Sequence, residues 1–475
     1  MKKSKLLIIL IGIISIFSTY AVAQIESDKT ALNMEHVKTT LSNEIQKILT
    51  ETGMPSISIA LVKDDKIVWA DAFGYTNVKK QFPATKETVY STGSTFKSVT
   101  AMAVMQLADA GKLNLDDPVN RYLQPPIKDL SADGEPVTIR HLLSHHAGLD
   151  GPVEIISLWE RDLPRTLKEI ASEITVIEPP GHNYEYCNHC FALVGLIIEN
   201  ISGKSFQEYL VDGLFKKLEI HTLGPVVPTP EMIEELALPY FIDKNRSHPL
   251  SQYRFDVFPA GDIYLIPSDM AKFLILHLNE GKFKGETILK PETIKEIHSP
   301  QFGSHSGLGV EVHGKGKEIM LEHGGAVPGF MSYFKADVNS KTGVYIVSNC
   351  VGSQDPLIAV CDLSLDLLKS KFDGKPLQSF AKKYFKEITL PLSVLKKYIG
   401  EYRLSPDLIL TITLEDKQLF AQKTGEDKVK LIPYEENKFF VKPGYGQVIL
   451  KLDEKSHAVG LKFIKYEEVT EGIKN

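Results

Sequence analysis

Two residues three apart, Ser94 and Lys97, are the pair in this chain best placed to do chemistry. They lie in the polar run Ser91-Thr92-Gly93-Ser94-Thr95-Phe96-Lys97-Ser98, which leads into residues 99–110, apolar apart mainly from Thr100, Gln106 and Asp109. A helix apolar on nearly every side is a buried one, and residues three apart share one of its faces. Desolvation and the positive end of the helix dipole both depress the pKa of a lysine so placed. A neutral amine accepts the hydroxyl proton of Ser94 and leaves an activated nucleophile. The alternative is that Ser94 only caps the helix. The same spacing recurs at Ser332/Lys335, Ser379/Lys382 and Ser393/Lys396. The first of these sits in an alternating, strand-like run and the other two in a polar segment. Ser94 alone has the loop-to-buried-helix context that the chemistry needs.

A second group follows the breaker Pro179-Pro180-Gly181. Tyr186 and Asn188 stand on the loop entering an apolar helix at 191–198 that stops at Ser202-Gly203. Loops held by rigid elements are where working side chains tend to lie, although a tyrosine there also packs as an ordinary aromatic. Cys187 and Cys190, with His182 and His189 nearby, raise a metal site. The plainer reading packs Cys187 beside the loop and lets Cys190 open the helix. Cys350 and Cys361 are a candidate bridge, since spacing alone does not decide pairing. His141 and His145 have chelating spacing, but no acidic residue lies between them. They read better as a helix end ordered by imidazole hydrogen bonds.

The elements that must position these residues alternate in kind. A polar helical run at 31–51 precedes two strands, 56–62 and 66–70, joined by Lys63-Asp64-Asp65. The Ser94 helix follows, and then the helical middle. Ser205 is expected to cap a helix at 206–217 and Ser268 one at 268–279, with an irregular stretch at 226–253 between them. Three strands come next. The first ends in Glu322-His323-Gly324-Gly325, the others span 330–338 and 344–349, and a helix at 356–371 closes the region. Strands, a helical middle and returning strands imply an α/β (α+β) domain whose antiparallel sheet is assembled from both ends of the chain.

Residues 1–23 have the form of a signal peptide: Lys2, Lys3 and Lys5, an apolar core at 6–17, and Ala21-Val22-Ala23 as the cleavage site. The mature protein is expected to be exported, periplasmic or secreted, with no stable membrane insertion after cleavage. A net charge of −6 argues against nucleic acid or an anionic membrane as partner. Oligomeric state is not readable.

Ser94-x-x-Lys97, Tyr186-x-Asn188 and His323-Gly324-Gly325, in this order, resemble the signature of serine β-lactamases and penicillin-binding proteins. The version is similar to the class C β-lactamase-related group of carboxypeptidases, D-aminopeptidases, esterases and acyl-transferring relatives. Residues 139–149, Pro180-Gly181, Ala260-Gly261 and Pro328-Gly329-Phe330 add to the likeness, which runs over about residues 41–371. The literal triplet Lys341-Thr342-Gly343 reads instead as a hairpin turn.

The resemblance implies two-step acyl transfer through Ser94 on a small-molecule or peptide acyl substrate, without metal or organic cofactor. Lys97 and Tyr186 would share the proton transfers and Asn188 would orient the acyl chain. The backbone N–H groups of Ser94 and Ala326 would form the oxyanion hole, with His323 and Gly325 shaping the strand edge. The family's third motif carries lysine and threonine that help hold a substrate carboxylate, where this chain has His323 and Gly324. The charge becomes conditional on pH, which turns the expectation from β-lactams toward esters, other amides or transfer to an alcohol or amine. A penicillin sensor without turnover is the remaining alternative.

The expected division is 24–371 for the catalytic domain, 372–392 for a linker and 393–475 for a small all-β barrel. Seven short strands in the last part resemble a lipocalin-like module. It is expected to be structural rather than to cover the cleft or bind a ligand.

Overall fold

The computed structural model describes residues 32–474 except 129–134, 154, 158–164, 222–235, 244–245, 315, 317, 381–386, 406–407, 425–427, 443–445 and 466–467. The expected signal peptide lies outside these residues. Helix α1 (Met34–Thr52) is capped by Asn33 and ends at Gly53 in the left-handed conformation. Strands β1 (Ser56–Lys63) and β2 (Lys66–Asn77) form a hairpin, followed by the short strand Phe82–Pro83. A single 3₁₀ turn, Gly93–Phe96, carries Ser94 and runs directly into α2 (Lys97–Asp109). The middle of the domain holds α3 (Asn188–Ser202) and α4 (Pro267–Leu278). Strands β3 (Glu311–His313), β4 (Met320–Val327), β5 (Phe330–Asp337) and β6 (Thr342–Ser348) follow, and α5 (Gln354–Leu368) closes the unit.

The sheet order is β3-β4-β5-β6-β1-β2, then Phe82–Pro83, and the six labelled strands pair antiparallel throughout. Strand β1 is buried over Ser56–Val62 because both faces are covered. Ile57, Ile59 and Leu61 pack with Val37, Leu41 and Ile45 of α1 and with Leu357 of α5. Ala60 and Val62 face the other core, which holds α2, α3 and α4. The turn bearing Ser94 therefore lies between the sheet and the helical half, with β4 alongside it. Lys341, at φ 50°, forms the turn between β5 and β6, and Asp337 pairs with Thr342, so Lys341-Thr342-Gly343 is a hairpin here.

Several expected boundaries shift. Pro267 occupies the first turn of α4 with Ile266 at its N-cap, so Ser268 is not the cap; proline presets the helical φ and has no N–H to satisfy. Ser205 caps Phe206–Leu210 through a reciprocal bond with Glu208, but the chain then widens into a π-helical turn at Val211–Phe215. Within the stretch expected to be irregular, Tyr240–Asp243 and Arg246–Pro249 form a hairpin. Cys350 and Cys361 are buried and unbridged.

Eight strands, not seven, make the C-terminal closed barrel. They are β7 (Gly400–Ser405), β8 (Leu408–Glu415), β9 (Gln418–Lys423), β10 (Val429–Glu435), β11 (Lys438–Lys442), β12 (Gly446–Leu452), β13 (Ala458–Lys465) and β14 (Glu468–Lys474). The start of the expected first strand is instead helical, Leu392–Leu395 and Lys396–Tyr398. The strand not foreseen, β14, is rich in charge and contains a glycine, yet it closes the barrel between β13 and β7. Tyr402, Ile412, Leu431, Phe439, Val448 and Leu461 are buried in the barrel core. The segment before the barrel is tied at both ends. Leu377 O accepts from Lys47 Nζ at 2.8 Å, and the Ile388 amide donates to Pro433 O at 2.9 Å. No described helix is long and apolar enough to cross a membrane.

Candidate active site

Lys97 is fully buried, and its Nζ has three oxygen neighbours: Ser94 Oγ at 3.0 Å, Asn188 Oδ1 at 2.7 Å and the Ala260 carbonyl at 2.8 Å. Burial pushes its pKa well below that of a free lysine. The two fixed acceptors, Asn188 Oδ1 and Ala260 O, take both N–H bonds of a neutral amine. Its lone pair then faces the Ser94 hydroxyl. Ser94 itself is half-buried, open on one side to a reactant.

Three glycines set the spacing around this serine. Gly93 has φ +52°, in the left-handed region, and a Cβ on it would stand 3.1 Å from Ala326 N. A Cβ on Gly325 would lie 2.3 Å from Ser332 Oγ, 2.7 Å from Thr92 O and 3.0 Å from Ser94 N. Gly261 lies so close beneath that its Cβ would meet Gly93 at 2.5 Å. The backbone amides of Ser94 and Ala326 thus border one narrow gap between the turn and β4. Ser332, one of the three other serines with a lysine three residues on, is buried and structural. Its Oγ donates to Thr92 O at 2.5 Å and contacts Thr95 Oγ1 at 3.2 Å, pinning β5 to the turn.

Asn188 is the first residue of α3, and Cys187 is its N-cap. Asn188 holds Lys97, a role not anticipated for it, rather than only facing the acyl chain. Cys187 and Cys190 form a disulfide with Cα atoms 5.3 Å apart. Neither proposed reading of this pair, a metal site or plain packing, included that bond. The spacing is one helical turn with the first residue at the cap, which brings the two side chains together. His189 instead has its Nε2 3.1 Å from Pro152 O.

Tyr186 is part exposed, and its ring lies 4.8 Å from Lys97 Nζ. The ring stacks on His145 at 4.5 Å between centroids and 27° between planes. His145 organises this loop through its imidazole, as the sequence suggested for it and His141. Its backbone takes φ +64°, and its Nδ1 accepts from the Cys187 amide at 3.0 Å. Its carbonyl accepts from the Glu185 amide at 2.8 Å, and that of His146 accepts from Gly181 at 2.7 Å. Burial and the neighbouring Lys97 hold the His145 pKa well below the usual value, so the ring is neutral. Thr138 caps the short helix that holds His141, and His141 Nδ1 returns the bond by accepting from the Thr138 amide at 3.1 Å. Both imidazoles are thus used on backbone amides.

His323 is buried on β4, with its ring 6.2 Å from that of Tyr186. Its Nδ1 is 2.6 Å from Gly324 O and donates to it. Desolvation, aided by Lys97, lowers its pKa to about 4. At neutral pH this strand position therefore offers a neutral imidazole rather than a cation. The structure brings Ser94, Lys97, Asn188, Tyr186, His323 and Gly325 around one centre, with the Ala326 amide at its edge. Ala260 O was missed as an individual contributor, although it lies in a segment the resemblance had marked, whereas the reading of His141 and His145 as ordering imidazoles holds.

The Beta-lactamase family model matches residues 41–359. Protein flp of Staphylococcus aureus (strain MW2) is 24% identical over 328 residues, which cover 67% of this chain and 63% of that protein. The octameric penicillin-binding protein homologue from Pyrococcus abyssi is similar in structure, with a TM-score of 0.58 and 26% identity over 91% of this chain and 99% of that one. EstCE1, a hydrolase with promiscuous acyltransferase activity, has a TM-score of 0.59 and 20% identity over 70% of this chain and 98% of its own. At that identity the likeness concerns the fold alone.

Proposed function

This chain belongs to the Beta-lactamase family, and from that premise we propose that it is an exported serine hydrolase acting on esters or amides through a Ser94 acyl-enzyme. The observation that carries the reading is the buried Lys97, whose two N–H bonds are engaged by Asn188 and Ala260 and whose third neighbour is Ser94 Oγ. Ser94 Oγ attacks the acyl carbonyl as Lys97 takes its proton. The oxyanion forms in the gap bordered by the Ser94 and Ala326 amides, where each preorganised donor contributes about 3 kcal/mol. Collapse of the tetrahedral adduct breaks the bond to the leaving alkoxide or amine. Lys97 and Tyr186 return the proton to it. Water then attacks the acyl-enzyme, its proton passing back to the same pair, and Ser94 is regenerated. No metal or organic cofactor takes part in these steps.

The neutral His323 supports acyl donors without a carboxylate at this strand, since a cation is present only near or below pH 4. Export is supported by residues 1–23 and by the Cys187–Cys190 bond, of a kind that persists in oxidising compartments. The reading assigns residues 24–371 to catalysis and 393–475 to a barrel that stabilises rather than binds. The filled barrel interior supports that role.

Intact mass spectrometry tests the proposal, with wild type beside Ser94→Ala. Both are challenged with short acyl esters, a D-Ala-D-Ala peptide, a penicillin, and acyl donors with added alcohols. We expect a Ser94-dependent acyl adduct and released acid from esters. Tyr186→Phe should slow turnover strongly while Ser94 still acylates with a reactive ester. An acylated alcohol as main product would make the protein a transferase, and a lasting adduct a sensor. Equal turnover by Ser94→Ala would sink the nucleophile assignment.

A further inference from the structure

A second cluster of donors lies at the outer edge of the sheet, away from Ser94. Glu311 on β3 is paired directly with Glu322 on β4. Like charges so opposed destabilise a strand pair unless a cation intervenes. One imidazole reaches both carboxylates, and a second stacks beside it. His313 Nε2 is 2.9 Å from Glu322 Oε1 and 3.5 Å from Glu311 Oε2, and His305 Nε2 is 3.9 Å from Glu311 Oε2. The two imidazole rings are nearly parallel, 19° apart, at 5.5 Å. His313 Nε2 is a buried atom with no hydrogen-bond partner of good geometry. Lys335 is the one cation at the cluster among the described contacts. It sits 3.3 Å from the other oxygen, Glu322 Oε2, while also bonding Asp362 at 2.8 Å. Oε1 of Glu322 is thereby left to His313.

We infer that Glu311, His313 and Glu322 form a three-ligand site for a divalent transition metal of the zinc class, with water in the fourth position. Donors about 2.1 Å from a zinc ion stand about 3.4 Å apart in a tetrahedron. His313 Nε2 stands 2.9 and 3.5 Å from the two carboxylates, and the three donor atoms all lie within 4.8 Å of one another. One imidazole nitrogen and two carboxylate oxygens, completed by water, are a donor set that zinc accepts, and the carboxylates balance its charge. The side chains of His305, Glu311 and His313 are each about a third to a half exposed, so an ion enters without opening the fold. The His305 ring also meets that of Tyr184 at 5.6 Å, and Tyr184 meets His145 at 5.8 Å. The ion would therefore stiffen the rim of the active site without touching the reacting atoms.

The purified full chain, stripped with a chelator, is titrated with zinc by calorimetry, and retained metal is counted after gel filtration. We expect about one zinc per chain and a rise in Tm on loading. Glu311→Gln and His313→Ala should each weaken binding by at least about tenfold, the loss typical even of changes beyond the first ligand shell. His248→Ala, on the separate Tyr240–Pro249 hairpin, should not. Chelator-stripped melts of each variant report folding independently of zinc. No retained zinc in the wild type, or equal affinity in wild type and both variants, overturns the site.

Discussion

His323 concentrates the chemical difference between this chain and a carboxylate-binding relative. Its imidazole is buried on β4 and held near pKa 4, so the strand edge is uncharged at pH 7. Replacing it by lysine should restore a cation there. Preference for a carboxylate-bearing donor over its methyl ester, measured as the ratio of kcat/KM, should rise about tenfold in His323→Lys, the scale of one charge-assisted hydrogen bond. An unchanged ratio would remove this residue from substrate selection. At this scale the sequence told a good deal. Ser94 and Lys97 are local, three apart at a helix start, and their contact follows from helix geometry alone. Lys97 with Ala260 O, or His145 with the Cys187 amide, is not local. A backbone carbonyl has no side-chain signature, and the φ of +64° at His145 is set by the loop it clamps rather than by its residue type.

At the scale of elements, the turn bearing Ser94 and strand β4 approach as closely as they do because Gly325 has no side chain. Its neighbour in the same triplet is different, since a Cβ on Gly324 would find Tyr333 at an ordinary 3.5 Å. Gly325→Ala should therefore lower kcat/KM by about 100-fold, as a displacement near 1 Å at a reacting centre does. Gly324→Ala should stay within a few-fold, and steady-state kinetics on both variants with one ester decides between them. Strand and helix order was legible because β1 and β6 are near-continuous apolar runs and α2 and α3 are apolar on all sides. Less was legible where partners override composition. The eighth barrel strand, Glu468–Lys474, gains its place from pairing with β13 and β7, not from apolar alternation. The hairpin at Tyr240–Pro249 reads as charged, Pro-containing loop until its two halves are seen together.

The whole molecule carries a common acid weakness. His298 and His323 are both buried, and burial holds both pKa values to about 4. In the unfolded chain a histidine titrates near 6.5. Between those values the unfolded state binds more protons, so stability falls as pH drops from about 6.5 to about 4. The loss reaches roughly 3 kcal/mol for each such residue. Thermal melts from pH 7.5 down to 4.5 should show Tm falling steadily through that window. A flat Tm would contradict neutral burial of these rings. The sheet order has a further consequence, in time rather than in space. Strand β1 is made early, but its neighbour β6 comes from far along the chain, Ile57 lying beside Ser348. A chain emerging from the ribosome thus carries Ser94 and Lys97 long before the interior that dries Lys97 exists. The oxygen partners of its amine, Asn188 and Ala260, lie 91 and 163 residues further along, so the lysine's surroundings are the work of chain made well after it.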